Sequence, residues 1–284
     1  MLVYRGKGNS WMRHKPRRGQ FDSAKPILSN TQRNSTRMRL LIIRHAESSN
    51  NKLAPSVDNA GYMQQRSADP VITELGVRQV QRLAAHLAGE PPADAPPGGK
   101  GIYGITHLYC SPMLRTLQTT QPVAKALGLR PSIWIDIHEH GGMFSGNPHT
   151  GENFLNHVGL KRSEIMRDYP DYELVDEISE EGWWKSGYED IAGCYGRAIR
   201  VARELRRRAH HERENNIRST VAIVSHGTFI DSLIKALLSQ IPENRYFYFH
   251  NNTAISCIDF GQHDTLYLRY LNRTFHLPPD MISE

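Results

Sequence analysis

Apolar residues along this chain gather into short unbroken runs, separated by stretches that repeat with a helical period. Leu40-Leu41-Ile42-Ile43 is one run and Thr220-Val221-Ala222-Ile223-Val224 another, and both suit strands buried on two faces. Shorter runs near 105–109 and 132–137 predict two further strands. Segments at 253–260 and 265–271 predict an antiparallel hairpin at the sheet edge. Between the runs, Leu75, Val80, Leu83 and Leu87 mark the apolar stripe of a helix that Thr73 can cap. Ser111-Pro112 opens a second helix, which Gly128 ends. More helices are expected near 153–168, over 188–213 and from Thr228 onward. Strands alternating with helices predict an α/β fold, a three-layer α/β/α sandwich with a mostly parallel central sheet and an antiparallel edge strand.

Three stretches interrupt that rhythm. Residues from Asn51 to Asp69 form a polar connection of about 18 residues, long for a compact domain and therefore a candidate functional loop. The Pro/Gly-rich segment 90–101 reads as a surface excursion. Residues 143–187 are mixed, with an acidic, Trp-bearing part at Glu180–Trp184 expected to be exposed.

Composition narrows the classes. With 39% hydrophobic and 23% charged residues the chain fits a soluble globular protein. No apolar run reaches the roughly 18 residues of a membrane span, so no membrane partner is expected. Cys110, Cys194 and Cys257 lie far apart in the sequence, which argues against a disulfide framework and for a reducing, cytoplasmic compartment. The formal net charge of +6 is unevenly spread: residues 1–39 hold ten Lys/Arg against Asp22 alone, or +9, leaving +6 − 9 = −3 for the rest. The basic character belongs to the leader, which removes most of the case for nucleic-acid binding by the domain. Residues 1–37 carry no apolar period and read as a disordered basic leader before a domain at 38–284. An Arg-rich, acid-poor transit peptide, with an organelle as destination, is the other reading.

Two strands end alike, in Ile43-Arg44-His45 and Val224-Ser225-His226-Gly227. In a parallel sheet their C-terminal ends share one edge, where α/β folds bind ligands. Arg115, in the first turn of its helix, can join them at a dipole end that favours anions. Two imidazoles and two guanidiniums on one edge make a pocket for a dianion, since arginine stays charged and donates as a planar fork. Glu139, after a third strand, is the carboxylate that reaches the same edge. Alternating His138 and His140, with His149 and His157 downstream, are a weaker metal-ligand reading, because no Cys or carboxylate completes that set.

Arg44-His45-Ala46-Glu47-Ser48 with Asn51 resembles the Arg-His-Gly-Glu-Ser-x-x-Asn signature of the histidine phosphatase (phosphoglycerate mutase-like) superfamily. Ser111-x-x-x-Arg115 with Thr119, Glu139 with Gly141-Gly142, Ser225-His226-Gly227, and Asp69-Pro70-x-x-Thr73-x-x-Gly76 resemble its further motifs, in order, over about 38–271. Ala46 stands where the family has Gly, and His140-Gly141-Gly142-Met143-Phe144 replaces the contacts of the mutases. The resemblance implies a metal-independent, cofactor-free phosphatase of phosphate monoesters, with a small phosphate ester or a phosphoprotein as substrate. It implies His45 as the nucleophile that becomes phosphohistidine, Glu139 as general acid/base, and His226 beside them. Arg44, Asn51, Arg115 and Gly227 would hold the phosphate, while Glu47, Thr73 and Gly76 are read as structural. Mutase-type phosphoryl transfer and a non-catalytic module, binding through the phosphate pocket or through a Trp183/Trp184 surface, are the alternatives. Specificity is expected from the 52–68 loop and the 141–187 segment, which can both roof the cleft.

Overall fold

A computed structural model describes residues 37–243 and 245–284. All of the basic leader except Arg37 lies outside the described residues. The chain runs β1 (Met38–Arg44), α1 (Ser49–Leu53), α2 (Asn59–Gln65), α3 (Glu74–Leu87), β2 (His107–Cys110), α4 (Leu114–Leu127) and β3 (Ser132–Ile133). It continues through β4 (Phe144–Ser145), β5 (Leu155–Asn156), α5 (Arg162–Asp168), α6 (Ile191–Glu214), β6 (Ser219–Ser225), α7 (Gly227–Leu237), β7 (Ile255–Phe260) and β8 (Leu266–Arg273).

Six strands form one sheet in the order β3-β2-β6-β1-β7-β8, and β4-β5 is a separate ribbon. β1, β6, β2 and β3 run parallel; β7 is antiparallel to both neighbours. Alternation along β1 divides its side chains between two layers. Leu41 and Ile43 pack under Leu83, Leu87 and Leu117 of α3 and α4. Leu40 and Ile42 face Val201 and Leu205 of α6 and Phe229 and Leu233 of α7. A strand covered on both sides has no polar positions to spare, hence the unbroken apolar run. This is the expected α/β/α sandwich.

Local capping explains several boundaries. Thr73 caps α3, its Oγ1 accepting the Gly76 N–H at 3.0 Å. Gly128 ends α4 in the left-handed conformation at φ 61°. Other boundaries differ from expectation. The long connection after β1 is not a bare loop but two short helices, capped by Ser48 and Asp58. The helix expected at 153–168 is confined to α5, because the chain before it makes the β4–β5 ribbon. β3 stops after two residues and passes into a 3-10 turn, Ile135–Ile137. Ser111 does not cap α4; the helix starts later, and the Asp69 carboxylate accepts the Leu114 N–H at 2.9 Å from a distant segment. Trp183 and Trp184 are buried, packed about His138 with ring centroids 5.5 and 4.7 Å away, so they are not an exposed binding surface.

Gly76 is fixed by close approach. A Cβ there would lie 2.3 Å from the Glu47 carbonyl oxygen, which also accepts the Thr73 N–H at 2.9 Å. Gly76→Ala therefore has to push α3 away from the loop after β1. It should lower unfolding stability by about 1–3 kcal/mol, the usual cost of overpacking. A denaturation midpoint unchanged from wild type would contradict this packing.

Candidate active site

Register builds the site. β1 and β6 pair in parallel with Arg44 opposite Ser225, so the next residues, His45 and His226, emerge side by side. Their ring centroids are 5.2 Å apart. The His45 N–H still bonds the Ser225 carbonyl at 2.9 Å, so the sheet holds the backbone to the last residue. Arg115 reaches the same point from the first turn of α4. All four are buried: Arg44 is 9% exposed, His45 3%, Arg115 7% and His226 0%.

Each imidazole has a defined hydrogen-bonding state. His45 Nδ1 lies 2.7 Å from the Ala46 carbonyl, which can only accept, so Nδ1 carries the hydrogen. The lone pair is then on Nε2, which accepts from Arg115 Nε at 3.2 Å. His226 Nε2 lies 2.8 Å from Ser111 Oγ, and its buried Nδ1 has no partner. We assign the Ser111 hydrogen to Nε2, which leaves Nδ1–H as a free donor. Burial, then Arg115 and Arg44, pushes His45 well below the usual histidine range. Burial, Arg115 and His45 do the same to His226. Both rings are neutral at pH 7.

The arginines are held by neutral acceptors that leave their charge in place: the His250 carbonyl for Arg44 and His45 Nε2 for Arg115. Arg44 Nη1 donates to the His250 carbonyl, and its buried Nε has no acceptor. Burial pushes this guanidinium down to about 10, with Glu139 pulling against it and Arg115 adding to the push, so it remains charged. Asp69 is 4.0 Å from Arg115 Nη1, yet burial pushes the Asp69 carboxyl up to about 6 despite that cation. Two guanidiniums, a free imidazole N–H and an imidazole lone pair thus converge with little fixed negative charge among them. Such a site takes an anion.

Glu139 follows the 3-10 turn beyond β3. Ser225 Oγ fixes that turn by donating to the Ile137 carbonyl at 2.7 Å. The Glu139 carboxylate accepts the N–H groups of His140 at 2.8 Å and Phe229 at 3.0 Å, with Thr228 at 3.4 Å. It therefore sits on the first turn of α7, whose N-cap, His226, makes no capping bond of its own. Gly227 opens the same helix; a Cβ there would touch Arg44 Nε at 3.5 Å. Asn51 turns its Oδ1 to Ser48, accepting from its N–H at 3.1 Å and its hydroxyl at 2.8 Å. That orientation leaves the Asn51 amide N–H groups as the available donors. Ala46 lies outside the left-handed region, which explains why a methyl group is accepted where the family signature has Gly. Glu47 accepts the Thr73 hydroxyl at 2.6 Å and takes part in seating α3.

Several contributors had no clear signal in the sequence. Asn252 donates to the His45 carbonyl at 3.0 Å, and the Thr253 N–H bonds the Arg44 carbonyl at 3.1 Å. Thr253 is β-branched yet adopts φ 59°, a costly conformation that these contacts hold in place. The polar run His250-Asn251-Asn252-Thr253 before an apolar strand was the available hint. The four downstream histidines do not assemble. His138 Nδ1 bonds the Ile135 carbonyl at 2.7 Å, while His157 bonds Ser145 at 2.9 Å. Among the described residues no group of three or more His, Cys, Asp or Glu could hold a metal ion.

The family model for the histidine phosphatase superfamily (branch 1) matches residues 40–273, and the chain belongs to that family. Among solved structures it is similar to the alpha-ribazole phosphatase from Shigella flexneri, at 20% identity and a TM-score of 0.53, covering 83% of this chain and 96% of that one. Mycobacterial hydrolase 2 aligns at 18% identity and a TM-score of 0.51, over 86% of this chain and 94% of that one. These likenesses bear on the fold. Comparison with curated proteins finds no significant match. Among the described residues no helix is long and apolar enough to cross a membrane. Cys110, Cys194 and Cys257 are free and buried.

The buried imidazoles predict a pH dependence of stability. His45 and His226 lie well below 6.5, His138 is pushed down to about 3 and His250 to about 4, in each case chiefly by burial. In the unfolded chain they titrate near 6.5. Their neutral state costs nothing above that pH. Below it, each subtracts up to about 1.4 kcal/mol per pH unit, because only the unfolded chain takes the proton. Asp69, raised to about 6, works the other way, favouring the fold as pH falls through that value. Four imidazoles outweigh one carboxyl, so denaturant unfolding should show stability falling steeply from pH 6.5 to 5. A flat profile there would mean these rings are solvated.

Proposed function

We propose that this protein is a phosphatase that hydrolyses phosphate monoesters through a phosphohistidine on His45. The observation that carries the reading is the buried His45 Nε2 lone pair, fixed by the Nδ1 bond to Ala46 and ringed by Arg44, Arg115 and the free His226 N–H. The phosphatase name of the Shigella neighbour agrees with it.

In this reading the phosphate draws Arg115 Nε–H off the lone pair and onto its own oxygens, which exposes the nucleophile as substrate seats. Nε2 attacks phosphorus in line, the P–N bond forms and the ester P–O bond breaks. Arg44 Nε, Arg115, His226 Nδ1 and the Asn51 amide donate to the equatorial oxygens, where transition-state charge collects. The leaving alkoxide takes a proton from Glu139. Water then gives one back to Glu139 as it attacks the phosphohistidine, returning His45 neutral and releasing inorganic phosphate. The arginines take the charge-neutralising role that magnesium fills in other phosphoryl-transfer sites, so no metal is required.

A panel of phosphate monoesters tests the reading. Wild type should release phosphate in the presence of EDTA, and acid-labile, base-stable phosphoryl label should appear on the protein. His45→Ala should abolish both. Arg115→Ala should lower kcat by about 10²–10³, the cost of losing one oxyanion donor. At saturating ester, kcat should show no loss near pH 6.5 from the nucleophile, because His45 stays neutral well below that value. Label that forms on a variant lacking His45, or turnover that EDTA removes, would refute the mechanism. Isomerisation that depends on a bisphosphate primer would replace hydrolysis with mutase chemistry.

A further inference from the structure

Arg66 is a cation that the phosphate chemistry does not use. It follows α2, where its own N–H bonds the Tyr62 carbonyl at 2.9 Å and the backbone turns extended. Its guanidinium carbon lies 3.7 Å from the centre of the Phe144 ring, close enough for a strong cation–π contact. Phe144 in turn packs edge-on against Tyr188, with centroids 5.1 Å apart. Arg66 is therefore where the connection after β1 meets the segment that begins with β4.

The guanidinium is fixed in place but not satisfied. Nε and Nη1 are buried without an acceptor, and among the described residues no carboxylate forms an ion pair with Arg66. A buried cation with two idle N–H groups is expensive unless an anion completes it.

Arg66 also shares its surroundings with the phosphate pocket. Burial pushes its guanidinium down, the charge of Arg115 adds to that, and Tyr62 and Glu139 pull the other way. Three residues on, Asp69 holds the start of α4 and faces Arg115. Arg66 and Asp69 line an open cleft of ≈ 540 Å³ together with Met143, Ser145, His157 and Glu164. Asp69, 4.0 Å from Arg115 Nη1, thus joins the cleft that Arg66 lines to the phosphate pocket.

We propose that Arg66, seated on Phe144, is a second anion subsite that selects phosphate monoesters carrying another anionic group on the leaving alcohol. A guanidinium with its face stacked and Nε and Nη1 both without an acceptor offers charge-assisted N–H donors to an anion, a carboxylate or a second phosphate. The assignment rests on the phosphatase reading for the position of the first phosphate, and it makes Arg66 a specificity residue.

Three esters of matched size separate the possibilities: ethyl phosphate, phosphoglycolate and ethylene glycol bisphosphate. Wild type should prefer one or both charged esters to ethyl phosphate by at least about tenfold in kcat/KM, the scale of a charge-assisted hydrogen bond. Arg66→Gln should erase the preference while leaving ethyl phosphate within about twofold, and Arg66→Lys should recover part of it. Which charged ester is favoured identifies the second anion as carboxylate or phosphate. Equal losses on all three esters would make Arg66 a contributor to the phosphate pocket and overturn the subsite, as would no loss on any. Thermal midpoints of both variants check that they fold. Calorimetric binding of the same esters to His45→Ala, with and without Arg66→Gln, reads the subsite without turnover. A binding preference that needs Arg66 in a protein that hydrolyses nothing keeps the subsite and removes the phosphatase reading. Equal binding of all three esters removes the subsite alone.

Discussion

Everything at this site follows from the pairing of β1 with β6. Because Arg44 stands opposite Ser225, the two chains leave the sheet together and their histidines arrive as neighbours. A slip of one residue would send every side chain of one strand to the other layer, exchanging Leu41 and Ile43 with Leu40 and Ile42 under their respective helices. The core on both faces of β1 therefore enforces the register. Hydrophobic burial thus sets the distance between two imidazoles, and no direct bond between them is needed.

The second constraint is electrostatic. Arg44 and Arg115 are buried within one pocket, where mutual repulsion and desolvation both oppose them. The usual remedy, a bound carboxylate, would fill the position an anionic ligand needs. Carbonyl and imidazole acceptors serve instead: the His250 carbonyl takes Arg44 and His45 Nε2 takes Arg115. Such partners orient a guanidinium while leaving its charge in place. Asp69 is the carboxylate that comes nearest, and it stays at 4.0 Å with its own burial working against ionisation. The cost of such a pocket is carried by the sheet and by strained supports such as Thr253.

Local signals made part of this arrangement legible in the sequence. The apolar runs gave β1 and β6, Thr73 and Gly128 marked helix ends, and Arg44-His45 and Ser225-His226 stood at strand ends where a shared edge could be inferred. What could not be read depends on pairings distant in sequence. Asp69 caps a helix 45 residues away, Glu139 a helix 90 residues away, and Asn252 steadies the carbonyl of His45 from 207 residues away. No window of neighbouring residues contains such a pair. The acidic surroundings of Trp183 and Trp184 suggested exposure because hydropathy averages along the chain, whereas these rings fold back around His138. The helices α1 and α2 were hidden for a related reason: they are short, polar and without an apolar stripe, so caps rather than periodicity define them.

Glu139 shows how closely the two sides of the pocket are tied in this fold. The first turn of α7 supplies the N–H groups that hold its carboxylate, and the residue before that turn is His226. One helix start therefore positions both the Glu139 carboxylate and the free imidazole N–H of His226 beside Arg44. A shift of α7 along its axis would move these two groups together and keep their spacing. It would also move them relative to His45, which belongs to β1. The bond from Ser225 to the Ile137 carbonyl opposes such a shift, because it links β6 to the turn that carries Glu139. Two attachments to α7 and one to β6 leave Glu139 little freedom of its own. The proposed chemistry requires that restriction, since one carboxyl group must meet both the leaving oxygen and the incoming water on the same line through phosphorus.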